Sequence, residues 1–275
     1  MTGPPSPPPH AVLVGIRAIT FDFGNTLVRV SRAGLHAVTE RTAVEAAATI
    51  GLADPATFRA AWAEERDRQF REEVPAFREV DLHQRAVRIL ARLRGMPPPG
   101  PDERWDDAAA AALAEPAEVG AVVDTYSHAF VETMPPVEGA GELLADLAGR
   151  GFRLAILSNW PLAATIDRYT AAAGWDPHLA GIFVSQRIGT IKPHPAIFAF
   201  AADALATPPE AILHVGDDWA ADVVGARESG WRVAYLRDQQ ADTPLPTSTR
   251  SGGPAPDLEL DRLTDLAARV ADPTA

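Results

Sequence analysis

Between Arg17 and Phe23, Ile19, Phe21 and Phe23 alternate with Ala18, Thr20 and Asp22, the two-residue period of a strand that ends on a carboxylate. Similar β-rich runs recur at 152–158, 181–184, 211–215 and 231–236. Helical patterns separate them: 142–149, whose last residue Gly149 fits a C-cap, then 195–205 and 222–229. Strand and helix in alternation predict right-handed crossovers and an α/β fold, a Rossmann-like doubly wound parallel sheet. Ligands then bind beyond the carboxyl ends of its strands.

From about residue 31 to 135 that rhythm stops. Leu82, Ala86, Ile89, Leu90 and Leu93 form one helical stripe, and Phe58, Trp62 and Phe70 sketch a second. The pattern predicts a module of four or five helices inserted after the first strand and its turn, placed as a lid over the carboxyl edge. The chain thus divides into a Pro-rich leader (1–15) expected to be disordered, a core from 16–30 and 136–275, and an all-α insertion at 31–135.

At 275 residues, 47% hydrophobic and 23% charged, the composition is that of a globular chain with a sizeable core. Lys and Arg number 25 against 37 Asp and Glu, and the net charge of -12 repels nucleic-acid backbones and anionic lipid, so neither is an expected partner. Cysteine is absent, which excludes disulfides, thiolate nucleophiles and Cys-ligated zinc or iron–sulfur centres. No apolar run approaches the roughly 20 residues of a membrane span. The start MTGPPSPPPH lacks a basic stretch followed by an apolar core, so a cytoplasmic location is expected. Prolines cluster at 4–9, 97–101, 135–136 and in a low-complexity excursion, QQADTPLPTSTRSGGPAP, at 239–256.

Four segments carry side chains suited to chemistry. Asp22 stands before a Gly-Asn turn, where a carboxylate commonly does no more than cap a loop. Ser158 and Asn159 end a second strand, and a turn or a helix N-cap would suit them equally. Lys192 precedes Pro193 and Pro195, so the backbone direction aims its ammonium; the alternative is an exposed lysine beside a rigid turn. Asp217, Asp218 and Asp222 lie within six residues after the run 211–215. Clustered carboxylates need solvent or a cation, and a hard metal ion is the economical explanation.

Taken in order, Asp22, Ser158, Lys192 and Asp217 resemble the four motifs of the haloacid dehalogenase superfamily of aspartate-nucleophile hydrolases, over about residues 16–236. The helical stretch lies where that family inserts an α-helical cap. The resemblance implies a Mg2+-dependent phosphatase, monomeric or homodimeric, that acts on a small phosphorylated metabolite through an aspartyl-phosphate on Asp22. It implies catalytic roles for Asp22, Ser158 and Lys192, and substrate contacts from Ser158, Asn159 and Lys192. Mg2+ would be held by Asp22, Asp217 and the backbone carbonyl of Gly24, with Asp222 behind Lys192 and Asp218 reaching the ion through water.

Gly24 departs from the phosphatase pattern, which places a second Asp there as general acid and base, a role typically contributing about 10²- to 10⁴-fold. Three consequences follow from its loss. The substrate is one whose leaving group needs little protonation, such as a sugar 1-phosphate, acyl phosphate or phosphoanhydride; or Asp218, Asn25, His36 or His83 substitutes; or the chain binds a phosphorylated ligand with slow or no turnover. Family dehalogenases also lack this Asp but act on 2-haloacids without metal, which makes the retained acidity of Asp217, Asp218 and Asp222 favour phosphate. Of the arginines in the insertion (Arg59, Arg66, Arg68, Arg71, Arg78, Arg85, Arg88, Arg92, Arg94), one or two suit an anion clamp. The i,i+4 spacings Glu64/Arg68 and Asp67/Arg71 read as helix-face pairs. Trp160 suits either a pocket wall or the core, and Arg29 and Arg187 flank strand ends.

Overall fold

The computed structural model describes residues 12–51, 54–237, 239, 242–248 and 252–273. Among these, six strands make one parallel sheet in the order β3-β2-β1-β4-β5-β6: β1 Ala18–Phe21, β2 Arg153–Ser158, β3 Leu179–Val184, β4 Ile212–Gly216, β5 Arg232–Leu236 and β6 Leu258–Leu260. The first five coincide with the five β-rich runs. β6 has no such forerunner: Leu-Glu-Leu is too short to show a period, and it joins the edge by pairing Leu258 with Ala234.

Alternation along β1 sorts its side chains between two cores. Ile19 and Phe21 join Leu154, Ile156, Leu213 and Val215 on one face. Ala18 joins Ala155, Leu157 and Ile212 on the other. With both faces covered, the central strands read as nearly continuous apolar runs. Each fully buried Ile, Leu or Phe contributes roughly 1.5–3 kcal/mol.

Between β1 and β2 come α1 Arg32–Ile50, α2 Pro55–Glu73, α3 Leu82–Leu93, α4 Asp107–Ala112 and α5 Pro116–Thr133, with α6 Ala140–Gly149 leading into β2. The starts of α1, α2 and α3 are written in their caps. Ser31 Oγ accepts from Gly34 N, Asp54 accepts from Ala56 N and Thr57 N ahead of Pro55, and Asp81 accepts from His83 N and Gln84 N. α1 stops at Gly51, whose φ of 69° is the left-handed C-cap conformation. Leu82, Ala86, Ile89 and Leu90 are buried as the stripe requires, and so are Phe58 and Trp62. α1 packs on α2 and α5, and α3 on α2, α4 and α5.

Beyond β2 run α7 Ala163–Ala173, α8 Ser185–Ile188 and α9 Pro195–Ala204. The helix expected over 222–229 begins earlier, as a π-helical turn at Trp219–Val224 that leads into α10 Gly225–Glu228. Asp218 caps it by accepting from Ala221 N at 2.7 Å. Of the expected leader, residues 1–11 lie outside the described residues, and Leu13 pairs with Val270, its N–H donating to Arg269 O at 2.8 Å. No helix among the described residues is long and apolar enough to cross a membrane.

From central β1 the chain runs outward to β2 and β3 on one side, then crosses back to β4 on the other side of β1 and runs outward to β5 and β6. The crevice between the carboxyl ends of β1 and β4 is therefore the topological switch point, where ligands bind in open α/β sheets. Register then dictates who meets there: Phe21 pairs with Val215, so the residues one past β1 and two past Val215, Asp22 and Asp217, reach the same edge.

Candidate active site

Asp22 is pinned by its backbone, the N–H donating to Val215 O at 2.8 Å, and presents its carboxylate to the crevice. Lys192 meets it there. The buried ammonium donates to Asp22 Oδ1 at 2.8 Å, Asp222 Oδ1 at 2.6 Å and Leu157 O at 2.9 Å, which accounts for all three of its protons. Burial works against that charge, but Asp22 and Asp222 outweigh it and hold Lys192 above the usual lysine range. Burial likewise pushes Asp22 upward, against the pull of Lys192.

Asn159 aims this lysine. Its Oδ1 accepts from Lys192 N at 2.7 Å and its Nδ2 donates to Lys192 O at 2.9 Å, so both ends of an amide expected to touch substrate are holding the backbone of Lys192. Ser158, at the end of β2, is 1% exposed, and its Oγ has no hydrogen-bond partner among the described residues. A buried hydroxyl without a partner costs about 1–3 kcal/mol unless a ligand completes it.

Asp222 sits behind Lys192, as expected, and belongs to a deeper network. His214 Nε2 lies 3.0 Å from Asp222 Oδ1, and Thr20 Oγ1 lies 2.8 Å from His214 Nδ1. Since an ionised carboxylate only accepts, the neutral imidazole carries its proton on Nε2 and takes one from Thr20. Asp218 N donates to Asp222 Oδ2 at 2.9 Å. Burial would raise Asp222, yet Lys192 and His214 hold it well below the carboxylate range, while burial and then Lys192 push His214 down. Position 216 has to be glycine, because a Cβ there would come within 2.2 Å of Asp222 Oδ2.

One carboxylate oxygen each from Asp22, Asp217 and Asp222 fall within 4.8 Å of one another. Asp222 is already satisfied by Lys192, His214 and Asp218 N, which leaves Asp22 and Asp217 as the pair able to share a cation. Two hard oxygens bordering the cavity fit a small dication that keeps several of its waters, as Mg2+ does. Thr26 Oγ1 approaches Asp217 Oδ1 at 3.5 Å.

Gly24 lies between these groups and a strap from the low-complexity excursion. A Cβ at 24 would stand 2.7 Å from Leu245 Cδ1 and 3.3 Å from Trp160 Cζ3, so the place of the expected acid is filled by apolar side chains. The strap is tied at both ends. Thr243 receives Asn25 Nδ2 and Arg32, while Ser248 donates its N–H and hydroxyl to Asp218 at 2.6 and 2.7 Å. Nothing in 239–256 beyond its polar composition signals that Thr243, Leu245 and Ser248 border the site. Asp218 is therefore a cap and an anchor, with burial and then Asp222 raising its pKa. Asn25 is a turn residue at φ 59°, a conformation that asparagine tolerates.

These groups line one cavity of about 990 Å3 between sheet edge and helices, bordered by Asp22, Lys192, Asp217 and Trp160 below and by Phe70, Arg85 and Tyr126 above. His36 and His83 do not border it; both are exposed, beside Glu40 and Asp81. Arg29 and Arg187 are also outside, Arg187 paired with Asp167. The expected Glu64/Arg68 and Asp67/Arg71 pairs do not form. Arg68 pairs instead with Glu65 and Glu72 and Asp67 with Arg66, all along α2, while Glu64 reaches across to Arg92 on α3.

A family model described as haloacid dehalogenase-like hydrolase matches residues 16–230. The chain is 27% identical to a glyceraldehyde 3-phosphate phosphatase of Methanopyrus kandleri, over 91% of this chain and 95% of that one. It is 35% identical to the 5-amino-6-(5-phospho-D-ribitylamino)uracil phosphatase YigB of Escherichia coli, over 42% of this chain and about half (48%) of that protein. A solved 2-haloacid dehalogenase from Pseudomonas syringae shares the fold at a TM-score of 0.64 and 22% identity, covering 91% of this chain and 96% of that one.

Proposed function

The chain belongs to the haloacid dehalogenase-like hydrolase family, and from that premise we propose that it is a Mg2+-dependent phosphatase of small phosphorylated metabolites that works through an aspartyl-phosphate on Asp22. Residues 16–30 and 136–275 serve as the catalytic core, and 31–135 as the cap that closes the site. One observation carries the reading: Asp22 and Asp217 each present an oxygen within a shared 4.8 Å cluster while Lys192 stands 2.8 Å from Asp22.

Carboxylate attack on a phosphate brings anion to anion, so positive charge has to surround the phosphorus. Asp22, Asp217 and the Gly24 carbonyl would hold Mg2+, which would supply positive charge at the site of phosphoryl transfer. Lys192 holds the attacking carboxylate in place and ionised. The Asp22 oxygen bonds to phosphorus as the leaving-group oxygen departs with the bond pair, and Ser158 Oγ, unpartnered at the end of β2, donates to a phosphoryl oxygen. Water then attacks phosphorus and frees Asp22.

With Leu245 and Trp160 around Gly24, the leaving oxygen finds no side-chain acid at that position and takes its proton from solvent. Acetyl phosphate is therefore expected to be hydrolysed about 10²- to 10⁴-fold faster than glycerol 3-phosphate, the usual worth of a general acid. Equal rates would show that another group donates. Gly24→Asp is expected to raise kcat on glycerol 3-phosphate about tenfold or more only with Leu245→Ala beside it, because the new carboxylate needs the space Leu245 fills. An equal gain in the wild-type background would refute the crowding argument.

The reading itself is tested by phosphate release from acetyl phosphate with Mg2+ and with EDTA. Release confined to the Mg2+ arm is expected; chelator-insensitive release contradicts it. Halide freed from a 2-haloacid in EDTA would instead favour dehalogenation.

A further inference from the structure

Most cap arginines that reach a partner reach an acid: Arg88 meets Glu65 at 2.9 Å and Asp107 at 2.8 Å, and Arg94 meets Glu118 at 2.6 Å. Arg85 differs. It is 4% exposed, borders the cavity from α3, and has no carboxylate within 4.0 Å among the described residues. Lys, Arg, Asp and Glu are almost never fully buried unless paired, because an uncompensated charge is costly to desolvate.

The guanidinium is nonetheless held in one direction. Its Nε donates to Gln69 Oε1 at 2.9 Å, and its plane lies over the Trp62 ring, 5.2 Å from the centroid. Gln69 cannot be turned the other way, since its Nε2 donates to Asp81 O at 2.9 Å and must remain the donor end. One edge of the fork is thereby fixed, and the two terminal nitrogens make no hydrogen bond to the described residues. Glu79, an acid that also borders the cavity, accepts from Ser185 Oγ and Val80 N. Burial pulls Arg85 down to about 10, with the Tyr126 hydroxyl, Glu65 and Glu79 acting upward and Arg66 downward, so it is still a cation at neutral pH.

An oriented, unpaired fork on a largely buried side chain that borders the cavity is a socket for an anion. It faces the cavity from the cap while Asp22, Asp217 and Lys192 face it from the core. We infer that Arg85 recognises a second anionic group on the substrate, so that the preferred substrates are phosphate esters bearing a carboxylate or a second phosphate at the end away from the scissile bond. This rests on the phosphatase reading for its chemistry, although not for its binding.

The test compares 3-carboxyphenyl phosphate with its uncharged amide, 3-carbamoylphenyl phosphate, and with 1,3-phenylene bisphosphate, on wild type, Arg85→Gln and Arg85→Lys. Wild type is expected to take the charged compounds with a KM about tenfold to a hundredfold below that of the amide, the range of a charged hydrogen bond. Arg85→Gln should remove that gap through KM while kcat on the amide stays within about threefold, and Arg85→Lys should keep part of it. Whichever charged compound gains most identifies the second anion as carboxylate or phosphate.

Equal KM values in wild type, or an Arg85→Gln loss shared equally by charged and uncharged substrates, overturns the assignment and leaves the phosphatase reading standing. If no substrate is hydrolysed, that reading fails, and calorimetric titration with 3-phosphonobenzoate and phenylphosphonate decides the assignment. Tighter binding of the former to wild type but not to Arg85→Gln upholds it; equal binding overturns it.

Discussion

Asp22→Asn is expected to lower kcat by about 10⁴-fold or more, the scale on which covalent catalysis fails when its nucleophile is removed. The amide keeps the shape of the carboxylate and its place at the end of β1, but it offers phosphorus no anionic oxygen. Folding should hardly change. Burial already disfavours the Asp22 charge, and Lys192 keeps Asp222 and Leu157 O as partners, so urea unfolding should shift by less than about 1 kcal/mol. Loss of turnover together with a large loss of stability would mean that Asp22 is part of the scaffold rather than the reagent.

Lys192→Met should damage both folding and activity. It retains the length of the stem but leaves Asp222, 2% exposed at its side chain, without its strongest partner. Removing one member of a buried ion pair costs about 3–5 kcal/mol. His214 decides how this loss depends on pH. In the wild type Lys192 helps to push the imidazole below its ordinary value; with the ammonium gone, Asp222 is left to attract an imidazolium, and the folded-state pKa of His214 rises. A histidine whose folded pKa is held below the unfolded value of about 6.5 costs stability as pH falls below that value, and lifting the folded pKa returns part of that cost at low pH. The deficit of Lys192→Met, read from urea midpoints, should therefore be smaller at pH 5.5 than at pH 8. An equal deficit at both would place the compensation elsewhere.

The core of the site was legible because it rides on strand ends. A two-residue period locates Asp22 at the edge of a strand, and parallel register does the rest, bringing it to Asp217 with no information about the intervening two hundred residues. What local pattern could not show is how each polar group is used. Asn159 has the composition of a phosphate ligand, but its two polar ends are taken up by the Lys192 backbone, and Asp218 is engaged by Ala221 and Ser248. Such partners come from other parts of the chain.

Two further elements were hidden for the same reason. The prolines and threonines of 239–256 read as filler, yet Leu245 reaches the one position where the motif departs from its pattern, and the contact exists only in three dimensions. Arg85 stands three residues after Leu82, on the flank of the buried stripe, and nothing in the helical period separates it from its neighbours Arg88 and Arg92. What sets it apart is the missing acid, which is a property of the packed cap.

The most direct measurement is peptide mass spectrometry on protein acid-quenched during turnover of acetyl phosphate with Mg2+. The expected result is that the peptide containing Asp22 gains one phosphoryl group, that the gain is absent in EDTA, and that Asp22→Asn never shows it. A phosphoryl group on another residue, or steady turnover during which Asp22 stays unmodified at every quench time, would contradict it.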